Sequence, residues 1–304
     1  MLYLTSEITV KTEHALRPIF ITLAIAIPLA IIGIMSGFSV EGAPFSEAEG
    51  GVFYAFLNAL FYTLFAVIGV TLVYFAIKYG KERVLKLFFV ICFGFMGIFL
   101  IFFYLYLVAA ILWLADFYFY IIIVISIAAG CLLGYALLSE KSSDTTRNVA
   151  LLLYGAFIGA FLGIVLPTWT AFLLVGILSI YDIIAVFKGP IKKIIEMTEA
   201  DEDRNLPVDM TYTDRNWEIG LGDLAFYSML SCHTLLLGFE IDFLVEHGLV
   251  GAVIPFVCTV IGIVIGAMLT FRLLRKRELL PGLPISIGLG ILFYVLSLLV
   301  FWLI

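Results

Sequence analysis

Two aspartates stand inside long, mainly apolar stretches. Asp182 lies in "LLVGILSIYDIIAVF", Leu173 to Phe187, and Asp223 in "WEIGLGDLAFYSML", Trp217 to Leu230. A charged carboxylate at the centre of a membrane-spanning helix costs about 2.5–3.5 kcal/mol. Two carboxylates sharing a site cannot both ionise cheaply, so such a pair holds one proton over a wide pH range. One member can then take a proton from water while the other hydrogen-bonds a peptide carbonyl, which is aspartic-protease chemistry. The same pair can also carry protons or cations along a transport pathway. Depth and pairing alone leave hydrolysis and transport equally open, with a purely structural pair as a third reading.

Composition says what must position these acids. Of 304 residues, 63% are hydrophobic and only 13% charged, about half the charged share of a soluble domain. That is too few to build a water-facing surface, so the chain reads as an all-α polytopic membrane protein. Nine spans of about 20 residues are predicted: 19–38, 52–77, 87–114, 117–139, 149–166, 168–187, 219–239, 249–271 and 284–304. An 18-residue polar arm precedes the first, and its acids favour a retained helix over a cleaved signal.

All 17 Lys and Arg residues fall before the first span or in every second loop, between spans two and three, four and five, six and seven, and eight and nine. The alternate loops hold only acids, among them Glu41, Glu47, Asp116 and Glu246. Positive-inside bias then places the N-terminus in the cytoplasm and the C-terminus outside the cell or organelle. On this plan residues 1–187 form a six-helix part with the first acid. Residues 188–218 form a cytoplasmic loop whose "KGPIKKIIEMTEA" suits an interfacial helix. Residues 219–304 form a three-helix part with the second acid.

Spans six and seven are antiparallel neighbours. Asp182 stands five residues above the cytoplasmic end of one, and Asp223 four residues above that of the other. Both therefore lie about 6–8 Å inside the boundary, able to face each other. Gly220 and Gly222 strip side chains from the backbone ahead of Asp223, which favours approach by another chain. Pro281 and Pro284 predict extended backbone over Leu279–Leu283, an edge that could receive a peptide. Glycines at four-residue spacing (130/134, 155/159/163, 262/266) suit close helix packing. No internal repeat of the transporter kind is present.

Other chemistries lack their parts. No H-E-x-x-H occurs among the three histidines, and His233 lies nearly two turns too far along to assist Asp223, so a packing role is expected for it. Cys92, Cys131, Cys232 and Cys258 form no C-x-x-C pair and read as apolar packing residues. No metal, cofactor or nucleic-acid partner is implied.

Three segments in order, Tyr181-Asp182, Gly220-Leu221-Gly222-Asp223 and Pro281-Gly282-Leu283, resemble the Y-D, G-x-G-D and P-A-L signatures of the presenilin family of intramembrane aspartyl proteases. "LPTWTAFLLVGILSIYDIIAVFKGP", "GLGDLAFYS" and "LPISIGLGILFY" extend the likeness over about residues 165–300, and the compact length looks like that of a microbial, archaeal-type homologue. The resemblance implies a multi-pass enzyme of the cell membrane, or of an endomembrane in a eukaryote. It would cut transmembrane helices of other proteins with Asp182 and Asp223 as the catalytic pair. Tyr181, Gly220, Leu221, Gly222, Pro281, Gly282 and Leu283 would bind substrate. Because a substrate helix must unwind in lipid, Met210–Thr213 and Leu279–Leu283 are expected to pair with it as strands. Gly282 departs from the family's Ala, and the loop between the acids is short enough to put self-cleavage there in doubt. Obligate partner subunits are not expected; self-association is compatible with the pattern. The competing function is an ion-conducting or proton-coupled transporter built on the same acids.

Overall fold

The computed structural model describes residues 2–4, 12–38, 42–139, 141–187, 189, 211–214, 217–274 and 279–303. Apolar runs too long for strands become nine long helices among these residues, even where Pro18, Pro28 and Pro255 lie inside them and Gly51 puts a kink in one. They are α1 (Thr12–Met35), α2 (Glu47–Lys78), α3 (Glu82–Ile111), α4 (Ala115–Leu138), α5 (Asp144–Val165), α6 (Thr168–Phe187), α7 (Leu221–Glu240), α9 (Gly248–Leu274) and α10 (Leu283–Leu303). A single turn, α8 (Asp242–Val245), joins α7 to α9.

Eight of the described helices, all but α7, are long and apolar enough to cross a membrane. α7 falls short because Ser228, Ser231, His233 and Thr234 lie on it, all buried. Its position explains their tolerance: α1, α5, α6, α9 and α10 pack around it, so its polar groups meet protein and not lipid. The periphery is the reverse, with Phe95, Phe117, Tyr120, Leu249 and Trp302 exposed, as suits a chain whose outer solvent is hydrocarbon.

The glycine stripes mark the tightest helix crossings. A Cβ on Gly159 would stand 2.4 Å from Ser228 Cβ and 2.5 Å from the Ala225 carbonyl oxygen, and one on Gly163 2.8 Å from Cys232 Cβ. These contacts bind α5 to α7. Gly262 and Gly266 bring α9 equally close to the backbone of Leu289 and Ser286 on α10, and Gly130 brings α4 against Ile98 of α3. His233 joins the same α5–α7 crossing, its Nδ1 2.8 Å from the Gly163 carbonyl oxygen, in the packing role expected of it.

Hydrogen bonds fix the other end of α6. Glu47, in the first turn of α2, accepts from the Thr170 N–H at 2.6 Å and the Trp169 N–H at 3.2 Å, filling two of the donors that a helix start leaves free. Asn58 of α2, buried, donates to Thr170 Oγ1 and to the Phe45 carbonyl.

Four short strands close the acid-bearing end. They are β1 (Leu2–Leu4), β2 (Thr211–Asp214), β3 (Trp217–Gly220) and β4 (Leu279–Leu280), in the order β2-β3-β1-β4 with every neighbour antiparallel. α2, α3 and α5 each begin five residues earlier than expected, and three further differences bear on the acid-bearing end. The first helix begins at Thr12, so part of the polar arm is helical. Extended backbone near Pro281 is confined to Leu279–Leu280, since Pro284 falls in the first turn of α10, where a missing N–H is harmless. The seventh helix starts at Leu221 because Ile219 and Gly220 are held in β3. The expected interfacial helix beyond Lys188, and Met210, lie outside the described residues.

Candidate functional site

Asp223 is the third residue of α7, and Asp182 lies in the last third of α6; both are buried. Leu174 and Leu178 of α6, Leu224, Tyr227 and Leu230 of α7, and Leu283 and Ile287 of α10 share one apolar cluster. That packing holds the acid-bearing ends of α6 and α7 against the start of α10. A two-residue stretch of backbone touches both carboxylates. The Leu283 N–H donates to Asp182 Oδ2 at 3.3 Å. The Asp223 carboxylate packs on Gly282 so closely that a Cβ there would lie 2.4 Å from its Oδ2 and 2.7 Å from its Cγ. The two acids are near enough for their charges to interact.

Helix ends offset part of the cost of burying them. Asp223 sits in the first turn of α7, and the N–H that reaches Asp182 is the first of α10. A helix N-terminus carries roughly half a positive charge and favours an anion within its first turn. Two such ends converge here, which adds to the proton sharing expected of a close pair.

Gly282 departs from the alanine of the resembling signature, and the structure gives the missing methyl a consequence. The space it would fill holds the Asp223 carboxylate, so an alanine here would displace that group or the backbone.

Sequence reasoning missed Tyr227 and Ser286. The Tyr227 hydroxyl donates to the Gly282 carbonyl at 2.8 Å and lies 3.0 Å from Ser286 Oγ, which itself reaches that carbonyl at 3.3 Å. Tyr227 stands four residues after Asp223 and Ser286 four after Gly282, one helical turn in each case. That i, i+4 relation was the available signal. Tyr227→Phe is expected to slow turnover about tenfold with the fold retained. Losing one buried hydrogen bond is worth about 1–1.5 kcal/mol, and the Ser286 hydroxyl still holds the carbonyl. Initial rates beside a thermal unfolding curve check this.

The remaining candidate residues divide. Tyr181 adjoins Asp182, and its hydroxyl is buried with no hydrogen-bond partner among the described residues. Gly220 ends β3 as the residue before α7, with extended φ −69° and ψ 145°. Gly222 is exposed, and a Cβ on it would meet nothing within 4 Å among the described residues, so its Cα side is open there. Leu221 sits apart: it packs with Phe93, Leu137, Leu138, Leu151 and Tyr154 of α3, α4 and α5. Pro281 is buried between β4 and α10. The expectation for Met210–Thr213 is altered too. Thr211–Thr213 is a strand, but one edge pairs with β3. At the other, Asn148 of α5 grips Thr213 through both its backbone N–H (3.2 Å) and its carbonyl (2.8 Å). Among the described residues no group of three His, Cys, Asp or Glu is placed to hold a metal ion.

A sequence model of the presenilin family matches residues 18–217, well over half of the chain. The chain belongs to the presenilin family. Like other presenilin-family proteins it is an integral, multi-pass membrane protein. Presenilin-B of Dictyostelium discoideum is 38% identical over 139 residues, which are 43% of this chain and 26% of that relative, so the match spans about a quarter of its length. A solved structure of a presenilin family intramembrane aspartate protease superposes with a TM-score of 0.62 over 96% of this chain and 100% of its own, at 16% identity. At that identity the likeness establishes the fold. The presenilin match takes in Asp182 and stops short of Asp223.

Proposed function

We propose that this presenilin-family chain is an intramembrane aspartic endopeptidase, cutting transmembrane helices of other membrane proteins with Asp182 and Asp223 as its acid pair. The observation that carries the reading is the Gly282–Leu283 backbone, which contacts both buried carboxylates at once and so sets them around one small volume. The solved protein of like fold is itself described as an aspartate protease.

The chemistry needs no covalent intermediate. One carboxylate takes a proton from water as the water oxygen adds to the scissile carbonyl. The other, protonated, gives its proton to the carbonyl oxygen, and a neutral gem-diol forms. Collapse of the diol breaks the C–N bond, passes a proton to the leaving nitrogen and returns the pair to its starting state. Tyr181 offers a buried hydroxyl donor beside Asp182, and Gly220, Gly222 and the Pro281–Leu283 segment border the substrate's path. The proposal includes nine spans with α7 as the seventh, and the orientation in which all 17 basic residues face the cytoplasm. Residues 1–187 then supply the first acid, 188–218 the connecting loop, and 219–304 the second acid and the Pro281 segment. Substrates are membrane helices in the bilayer; partner subunits are not required, and self-association is compatible with it.

Gly222→Val tests the path. The side chain would enter space that no atom of the described residues occupies within 4 Å, so the melting temperature should stay within about 2 °C while cleavage falls at least tenfold. A valine that leaves cleavage intact would remove Gly222 from the path.

The reading as a whole is tested with purified protein in liposomes, assayed for cleavage of a co-reconstituted reporter helix and for ion flux. Cleavage without flux is expected. Flux that disappears in Asp223→Asn, with no proteolysis in the parent, would make the chain a transporter.

A further inference from the structure

The inference concerns β1 and rests on the protease reading. An unwound substrate in lipid must find partners for the backbone groups it frees, and the open edges of nearby strands are the obvious ones. β3 runs directly into Gly220–Asp223, and β4 directly into Pro281–Leu283, so these two strands deliver both segments that meet at the acids. The space between them is filled by the chain itself. Leu2 is opposite Ile219 on one side and Leu280 on the other; Tyr3 is opposite Glu218 and Leu279; Leu4 is opposite Trp217. The far edge of β3 is taken by β2, whose own outer edge is held at Thr213 by Asn148. A strand has two edges, and both edges of β3 are in use.

We propose that β1 is an intramolecular competitor of the substrate, holding the strand position that a substrate peptide must take beside the acids. Polarity identifies which part of the substrate that is. β3 runs toward Asp223, and β1, antiparallel to it, runs away. A peptide in the same place and direction would carry the residues before its strand across Asp182 and Asp223. The strand therefore corresponds to substrate residues that follow the scissile bond. Among the described residues β1 spans three positions, so a longer substrate strand gains more ladder bonds than those three displace. Because β1 is tethered to α1, its local concentration is high, and it lowers the fraction of protein able to accept substrate. Apparent affinity falls by that fraction, while the chemical step is unchanged. The signature is an elevated KM with normal kcat.

Two variants test this. Tyr3→Pro removes a ladder donor from the middle of β1, and KM is expected to fall about tenfold, with kcat unchanged. The opposite arm locks the strand. Tyr3→Cys and Glu218→Cys, on Cα partners, are joined by a reversible thiol cross-linker in a background where the native cysteines are replaced. The locked protein is expected to lose at least nine-tenths of its cleavage and to regain it on reduction. The Asp223→Asn protein runs in parallel. An active parent silenced by that substitution but indifferent to the lock, with an unchanged KM in Tyr3→Pro, overturns the competitor role alone. An inactive parent overturns the protease reading and this inference with it. Where Tyr3→Pro does not accumulate, the lock decides.

Discussion

Asp182→Asn and Asp223→Asn are each expected to reduce cleavage of a reporter helix by at least about 10²–10⁴-fold, the range that a positioned acid or base supplies. An amide has nearly the same shape but can neither take the proton from water nor give one to the scissile carbonyl. The double variant should be no worse than either single one, because groups that act as a unit fail together. Stability should move little. Asp182 accepts from the Leu283 N–H, a bond that an asparagine oxygen can keep, and Asn introduces no buried charge. Thermal unfolding of the variants in detergent, run beside the cleavage assay, separates loss of chemistry from loss of fold. A variant that cleaves normally would remove that residue from the chemistry.

Gly159→Leu is expected to have the second large effect, with loss of stability as well as of cleavage. The first added carbon already lies 2.4 Å from Ser228 Cβ, 2.5 Å from the Ala225 carbonyl oxygen and 2.9 Å from the Met229 nitrogen. Two of those neighbours are backbone, and the third is the root of a side chain. None can rotate away, so α5 and α7 must separate. Overpacking of this kind costs roughly 1–3 kcal/mol or more, read as a fall of several degrees in melting temperature. Cleavage should fall too, since α7 carries Asp223 and its register against α5 sets where that acid stands. Gly222→Val and Gly159→Leu thus form a pair. One should lose activity without stability, the other both. The reversed pattern would mean that the open and closed sides of α7 are misassigned.

How much of this was legible beforehand follows from how local each feature is. Helices longer than 20 residues announce themselves by unbroken apolar runs, and every expected span overlaps a long helix. The Gly155/Gly159/Gly163 stripe is a property of one helix face, and its partner helix proved to be the acid-bearing one. The acids were visible because no other charged residue lies within the expected spans 168–187 and 219–239 that hold them. Asp223 stands two residues past its helix start where four were expected, since pairing to β1 and β2 keeps Ile219 and Gly220 extended and moves the start to Leu221. The β1–β3 half of that pairing joins residues more than 200 positions apart, and no periodicity within three residues such as Leu2–Leu4 can reveal it. The Tyr227–Gly282–Ser286 anchor was hidden for a related reason. Each half shows the right i, i+4 spacing, but only the packed bundle brings the two halves together.

The central claim, that Asp182 and Asp223 act together on one peptide bond, is tested most directly by an experimental structure with a hydroxyl-bearing transition-state isostere bound. The hydroxyl that replaces the scissile carbonyl should lie within about 2.6–3.2 Å of a carboxylate oxygen from each aspartate. An isostere bound with its hydroxyl on one acid only, or on neither, would contradict the account.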